Sequence, residues 1–228
     1  MNIIYLIDFN CPYSYIGLKR IEDAIRSLDL DVEWDMKSFE LEPFTNSKSC
    51  VNMGQRYCDK YGISLEDAQA KLAEIEKIAL EDGLEINLKD KILTSSRDAH
   101  RLAKFTQNKY PEAALEIIEK IFYSNFISHK NISDINVLTE IAVSCGLDEN
   151  EVINILKNDH YSIEIELDKD EAIMHGITAT PCFILNQKEE KLIIPGVFST
   201  GEFETALKDF NEGNIKSKSF GFGSLNQY

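Results

Sequence analysis

A cysteine stands where a strand stops and a helix begins, and that junction limits what the chain can be. The apolar run Ile3-Ile4-Tyr5-Leu6-Ile7 reads as a strand. Directly after it comes Asp8-Phe9-Asn10-Cys11-Pro12-Tyr13-Ser14-Tyr15-Ile16-Gly17. Apolar residues then recur at helical spacing through Tyr15, Ile16, Leu18, Ile21, Ala24, Ile25 and Leu28. Pro12 falls at the first helical position, where its missing N–H costs nothing and its fixed φ suits the helix. The Cys11 sulfur then faces the unpaired N–H groups and positive dipole end of that helix. Both favour thiolate over thiol, the condition for a nucleophilic cysteine.

With Cys50, Cys58, Cys145 and Cys182, Cys11 makes an odd, scattered set of five cysteines. No basic n-region precedes the short apolar run, which is too short for a signal core or a membrane span. Together these fit reduced thiols and predict a cytoplasmic protein. Cys50 and Cys58 are eight residues apart, roughly 12 Å along a helix, beyond disulfide reach if both are helical. His100, His129, His160 and His175 have no zinc-site spacing with any cysteine, so no metal is expected. The net charge of −15, from 39 acidic and 24 basic residues, argues against nucleic acid and anionic membranes as partners. With 43% hydrophobic residues the chain of 228 residues has material for a full core.

A second strand is expected at Val32-Glu33-Trp34-Asp35-Met36. Phe39 and Leu41 break its alternation, so a bulge is expected near Lys37-Ser38, and Pro43 ends the segment. Strand, helix, strand makes a βαβ unit with parallel strands. From about Thr45 to His160 the strand signal nearly vanishes. Helices are expected from Met53 to Tyr61, from the Ser64 cap along Leu65, Ala68, Leu72, Ile75 and Ala79, and from about Ser96 through Ala99, Leu102, Ala103 and Phe105. Others start at Pro111, with a core face of Ala114, Leu115, Ile118, Ile121, Phe122 and Phe126, at a Ser133 cap and at an Asp148 cap. A helix from about Ile163 to His175 follows, then the strand Thr180-Pro181-Cys182-Phe183-Ile184-Leu185. A turn at Asn186-Gln187-Lys188 and the strand Lys191-Leu192-Ile193-Ile194 complete an antiparallel hairpin. A last helix runs from about Thr200 through Phe210, and the tail from Gly213 has loop composition.

This order, with a cysteine at the first helix, resembles a thioredoxin fold, an α/β fold, carrying a large all-helical insertion as in the DsbA-like family. More narrowly it is similar to the FrnE-like cytoplasmic branch. The carrying residues are Asp8 with Cys11-Pro12-Tyr13-Ser14-Tyr15-Ile16-Gly17, then Ser38-Phe39-Glu40-Leu41-Glu42-Pro43, Ala99-His100-Arg101-Leu102 and Gly176-Ile177-Thr178-Ala179-Thr180-Pro181. The resemblance implies a discontinuous thioredoxin-like domain, 1–44 and 161–212, a helical insertion, 45–160, and a mobile tail, 213–228. It implies a thiol–disulfide oxidoreductase or isomerase with Cys11 and Ser14 as catalytic residues. Pro12, Tyr13, Thr180, Pro181 and His100 would bind substrate. From the residues alone Pro181 suits either a cis turn or a trans proline opening a strand. The family makes it cis, facing the sulfur, with the Thr180 backbone pairing to an extended peptide or to glutathione.

One departure from the family matters most: Ser14 stands where a second cysteine is usual. Serine cannot resolve a mixed disulfide, so release needs an outside thiol or another cysteine. The Ser14 hydroxyl can still donate to a Cys11 thiolate. No tightly bound cofactor is implied; glutathione is a possible co-substrate. Partners would be protein disulfides or glutathione and other small thiols, on a monomer or homodimer. The tetrad also resembles 2-hydroxychromene-2-carboxylate isomerases and kappa-class glutathione transferases, which implies glutathione-dependent isomerisation or transfer as the alternative.

Three further positions carry two readings each. Cys182 is either a resolving thiol or a small buried core residue. His100 either lines a cleft and binds a substrate carboxylate with Arg97 or Arg101, or bonds across the domain junction. Ser199 and Thr200 either meet an anion at the last helix or cap it. Asp8 is read as a loop organiser that accepts backbone N–H bonds. If charged and buried, it would raise the Cys11 pKa.

Overall fold

The computed structural model describes residues 1–42, 51–89 and 91–215. It opens with strand β1 (Asn2–Ile7), helix α1 (Pro12–Ser27) and strand β2 (Glu33–Ser38). Between β2 and the final hairpin lie a short β3 (Val51–Asn52), α2 (Met53–Tyr61), α3 (Leu65–Glu81), a short β4 (Ile92–Leu93), α4 (Arg97–Lys109), α5 (Ala114–Phe126), α6 (Ile135–Ser144), α7 (Glu149–Lys157) and α8 (Ser162–Met174). The chain then forms β5 (Cys182–Gln187), β6 (Glu190–Pro195) and α9 (Thr200–Asn211).

The main sheet has the order β2-β1-β5-β6. β1 and β2 run parallel from Asn2 opposite Glu33 to Ile7 opposite Ser38, as the βαβ reading requires. β5 lies antiparallel to β1, with Leu6 opposite Cys182. Side-chain alternation divides the sheet into two faces. Ile3, Tyr5 and Ile7 join Phe183, Leu185, Leu192 and Ile194 in the large core with α1 and α9 residues. Leu6, Phe39, Ala172, Ile177 and Cys182 form a smaller cluster with residues from α8 and the segment after it. Tyr5 stacks on Phe183 with ring centroids 4.7 Å apart, an arrangement worth about 0.5–1.5 kcal/mol beyond burial.

Several sequence expectations change. The register of β1 with β2 is continuous, so no bulge interrupts Lys37-Ser38. Phe39 is apolar out of phase with Trp34 and Met36 because it belongs to the second cluster; both faces of this segment are covered. The outer edge of β2 is closed by side chains. Met36 N donates to Gln107 Oε1 at 2.6 Å, Ser38 N donates to Asp168 Oδ2 at 2.9 Å, and Lys104 Nζ donates to Met36 O at 2.7 Å.

Asp134, not Ser133, caps α6, by accepting from Asn136 N. Leu65 is 50% exposed and lies outside the core. The hairpin turn is Lys188-Glu189, since Gln187 pairs with Glu190, and β5 begins at Cys182, after the Thr180–Pro181 bond. The β3–β4 pair was not expected; two residues per strand leave no periodic signal. Pro43, Cys50 and the tail beyond 215 lie outside the described residues. Among the described residues no helix is long and apolar enough to cross a membrane.

Candidate active site

β1 ends at Ile7 and α1 starts at Pro12, so Cys11 is the N-cap residue of α1, with φ −94° and ψ 111°. A turn closes behind it through Cys11 N donating to Asp8 O at 2.9 Å. Ser14 N returns to Cys11 O at 3.0 Å. The Thr180–Pro181 peptide bond is cis. Cys11 Sγ lies 3.5 Å from Thr180 O and donates to it as a thiol. The predicted opposite wall therefore stands against the sulfur.

Gly17 lets this happen. A Cβ there would come within 3.2 Å of Pro181 Cγ and 3.3 Å of Phe183 Cζ, too close for rigid ring atoms. On the far side of the turn, Gly196 N donates to Pro181 O at 2.8 Å and fixes the turn to the end of β6.

The loop before Cys11 is tied to the helices between β2 and α8. Asp8 is 2% exposed, and its Oδ1 accepts from Asn10 N at 2.9 Å and Ser96 Oγ at 2.8 Å. Its Oδ2 accepts from Leu41 N at 2.8 Å. This is the loop-organising role read from the sequence. Burial pushes the carboxyl up, but His100 and the amides of Asn10 and Leu41 more than offset this and hold it below its ordinary value. Asn10 Nδ2 donates to Thr94 O at 2.7 Å, and Asn125 Nδ2 donates to Phe9 O at 2.7 Å.

His100 is wholly buried, stacked obliquely on Phe9 at 4.8 Å and 3.7 Å from Asp8 Oδ1. The cleft reading is corrected: His100 reaches no surface, and among the described residues neither ring nitrogen has a hydrogen-bond partner. Arg97 and Arg101 do not join it. Arg97 pairs with Glu40 and Glu166. Arg101 donates to the carbonyls of Ile155, Leu156, Asn158 and His160, closing the end of α7.

Ser14 has no exposure. Its carbonyl accepts from the Tyr5 hydroxyl, and its own Oγ has no hydrogen-bond partner among the described residues. Cys11 is only 6% exposed. Burial pushes its thiol up. The Thr180 side chain and the backbone and hydroxyl of Ser14 pull it down, while the Asp8 carboxylate adds to the rise. The expected net stabilisation of thiolate by the helix end is therefore corrected for the free protein: dehydration of the sulfur outweighs it.

Pro12 is buried and Tyr13 half-buried beside the cysteine they flank. Tyr57 of α2, a residue the sequence did not mark, also lies within electrostatic reach of Cys11. Burial raises its hydroxyl, and Cys11, Tyr61, Tyr13 and Glu42 add to this. Cys182 points into the apolar cluster with Leu6, Phe39, Ala172 and Ile177, which supports its core reading. Ser199 caps α9 in a full capping box with Glu202. Among the described residues no three His, Cys, Asp or Glu side chains converge on a metal position.

The site can bring a sulfur and a backbone edge to one point. An incoming disulfide lying along Thr180 would meet Cys11 Sγ. Asn125 could have been found from the sequence, as a polar residue on the apolar stripe of Ile118, Ile121 and Phe122. Tyr57 could not, because its electrostatic link to Cys11 depends on where α2 packs.

The profile of DSBA-like thioredoxin domains matches residues 2–208. The uncharacterised protein YwbO of Bacillus subtilis (strain 168) is 28% identical over 207 residues, covering 89% of this chain and 93% of that protein. The crystal structure of a probable DsbA oxidoreductase from Streptomyces coelicolor superposes with a TM-score of 0.84 at 28% identity, covering 96% of this chain and 93% of that one. The cytosolic disulfide reductase DsbM from Pseudomonas aeruginosa, solved with glutathione, shares the fold with a TM-score of 0.64 at 13% identity, covering 94% of this chain and 98% of that one.

Proposed function

The chain belongs to the family of DSBA-like thioredoxin domains, and from that premise we propose a cytosolic thiol–disulfide oxidoreductase that works as a reductase or isomerase through Cys11. The observation that carries this is the 3.5 Å approach of Cys11 Sγ to Thr180 O beside a cis proline. The motifs around Cys11, Phe39, His100 and Pro181 support the FrnE-like branch. The division into a thioredoxin-like unit and a helical insertion, at 1–44, 45–160 and 161–212, belongs to the same reading.

The direction of the chemistry follows from the sulfur. A strong oxidant needs a stabilised thiolate that leaves readily. Cys11 is buried and its thiol pushed up, so reduced Cys11 is a better attacker, once docked substrate supplies donors, than a leaving group. Cys11 thiolate attacks a substrate disulfide, forming a mixed disulfide and expelling one substrate thiolate. Ser14 cannot complete the cycle. An external thiol of the glutathione class attacks the mixed disulfide and expels the second substrate thiolate. A second molecule regenerates Cys11 and leaves as oxidised glutathione, so two thiols are oxidised for each disulfide reduced. The solved complex of DsbM with glutathione supports this choice of thiol.

The test is turnover of a small model disulfide with glutathione, followed by coupled regeneration of the thiol. Activity that saturates in glutathione and disappears in Cys11→Ala is expected. Turnover that persists without Cys11 sinks the reading. The absence of a second thiol at position 14 favours one other reading, a glutathione-dependent isomerase or transferase for an electrophilic small molecule. That reading predicts glutathione binding by calorimetry together with no disulfide reduction.

A further inference from the structure

Away from Cys11, α1 and α5 meet along a seam that holds two carboxyls. Glu22 on α1 and Glu119 on α5 line one cavity of about 290 Å³ with Ile25, Arg26, Trp34 and Leu115. Glu22 Oε1 is buried and among the described residues has no hydrogen-bond partner. The nearby cations are turned to another acid: Lys19 Nζ lies 2.6 Å from Asp23 Oδ1, and Arg26 Nη1 lies 3.2 Å from the same oxygen. The other titratable groups around the pair are phenols. Tyr15 feels both carboxyls and Tyr123, and the Tyr5 hydroxyl is spent on Ser14 O. Trp34 of β2 supplies an apolar wall.

Two adjacent carboxylates in a partly dehydrated seam repel, and a buried oxygen without a donor is costly. One proton between them removes both penalties. We propose that Glu22 and Glu119 share one proton across the α1–α5 seam, and that loss of this proton loosens the seam. Burial, then the Glu119 carboxylate, pushes Glu22 up to about 8, and Arg26 and Lys19 oppose this only in part. The folded chain therefore binds this proton more tightly than the unfolded chain does. Stability falls as pH rises from the ordinary carboxyl value of 4.5 to about 8, then levels.

The seam is mechanically joined to the Cys11 loop. α5 also carries Phe122 and Phe126, stacked against Tyr15 at 5.2 and 6.4 Å, and Asn125, which holds Phe9 O. Parting α1 from α5 relaxes the scaffold on which Cys11 stands. None of this depends on the reaction catalysed.

Trp34 is the only tryptophan in the chain, so its fluorescence reports the seam directly. Emission and melting temperature of the full chain are followed from about pH 7 to about pH 10. The wild type is expected to change emission with a midpoint near pH 8 and to lose stability up to that midpoint. Glu22→Gln keeps a donor towards Glu119 but cannot ionise, and both traces are expected to stay flat there. A flat wild-type emission trace overturns the proposal, and so does a midpoint near 8 that survives in Glu22→Gln. If that variant fails to fold, Glu119→Gln carries the test: its midpoint must fall by about one pH unit or more, and an unmoved midpoint overturns the proposal.

Discussion

Cys11 and Cys182 flank the same Thr180–Pro181 turn and both are buried, but in different surroundings. Cys182 sits among Leu6, Phe39, Ala172 and Ile177, and burial alone pushes its thiol up to about 12. Cys11 is also pushed up by burial, but the Thr180 side chain and Ser14 favour the charged form. Dehydration by itself makes a thiol inert. Dehydration opposed by polar groups leaves the charged form within reach. The difference is one of surroundings, since the residue type is the same.

The sharpest way to break this contrast is to remove each sulfur. Cys11→Ala is expected to abolish disulfide reduction, while Cys182→Ala keeps turnover within about twofold and loses roughly 1 kcal/mol or more of stability to the small cavity. Equal loss of turnover in both would erase the distinction. The approach of the turn to Cys11 is tested next. Gly17→Val places a branched side chain where even a Cβ meets Pro181 at 3.2 Å. Overpacking of this kind costs about 1–3 kcal/mol, and displacing the turn should lower kcat/KM by about tenfold or more, read by steady-state kinetics.

A third variant acts on the charge behind Cys11. Asp8→Asn removes a carboxylate that raises the Cys11 thiol, so alkylation of Cys11 should titrate at lower pH than in the wild type. It also weakens the bonds to Asn10, Ser96 and Leu41. Asp8 is held below its ordinary value of 3.8 in the folded chain, so its stabilisation is full above that value and is lost as pH falls through the folded value. Acid melting curves should therefore be steeper in the wild type than in Asp8→Asn. The smallest effect is expected from Ser14→Ala. Losing one buried hydroxyl that favours the thiolate should raise the Cys11 midpoint, read by alkylation against pH.

The thioredoxin-like order of elements was legible because periodicity switches between two and three-to-four residues at Ile7, Leu28 and Pro181, and caps such as Ser64, Asp148 and Ser199 punctuate it. Cys11 was legible because a proline follows it at a strand end. The sign of its net shift was not, because the sulfur is buried against a turn, at Thr180, that is distant in sequence. The supposed bulge at Lys37 failed for a similar reason: local phase cannot show that α8 covers the second face of β2. His100 and Arg101 sit together in sequence, yet one turns to Asp8 and the other to the end of α7. Motif adjacency did not settle direction there.

The account rests on Cys11 alone carrying the exchange. The most direct test is intact-mass and peptide analysis after brief exposure of the reduced chain to oxidised glutathione. The prediction is a single glutathione adduct on Cys11, released by added thiol and unchanged in Cys182→Ala. A stable internal disulfide, or an adduct on any other cysteine with Cys11 untouched, would contradict it.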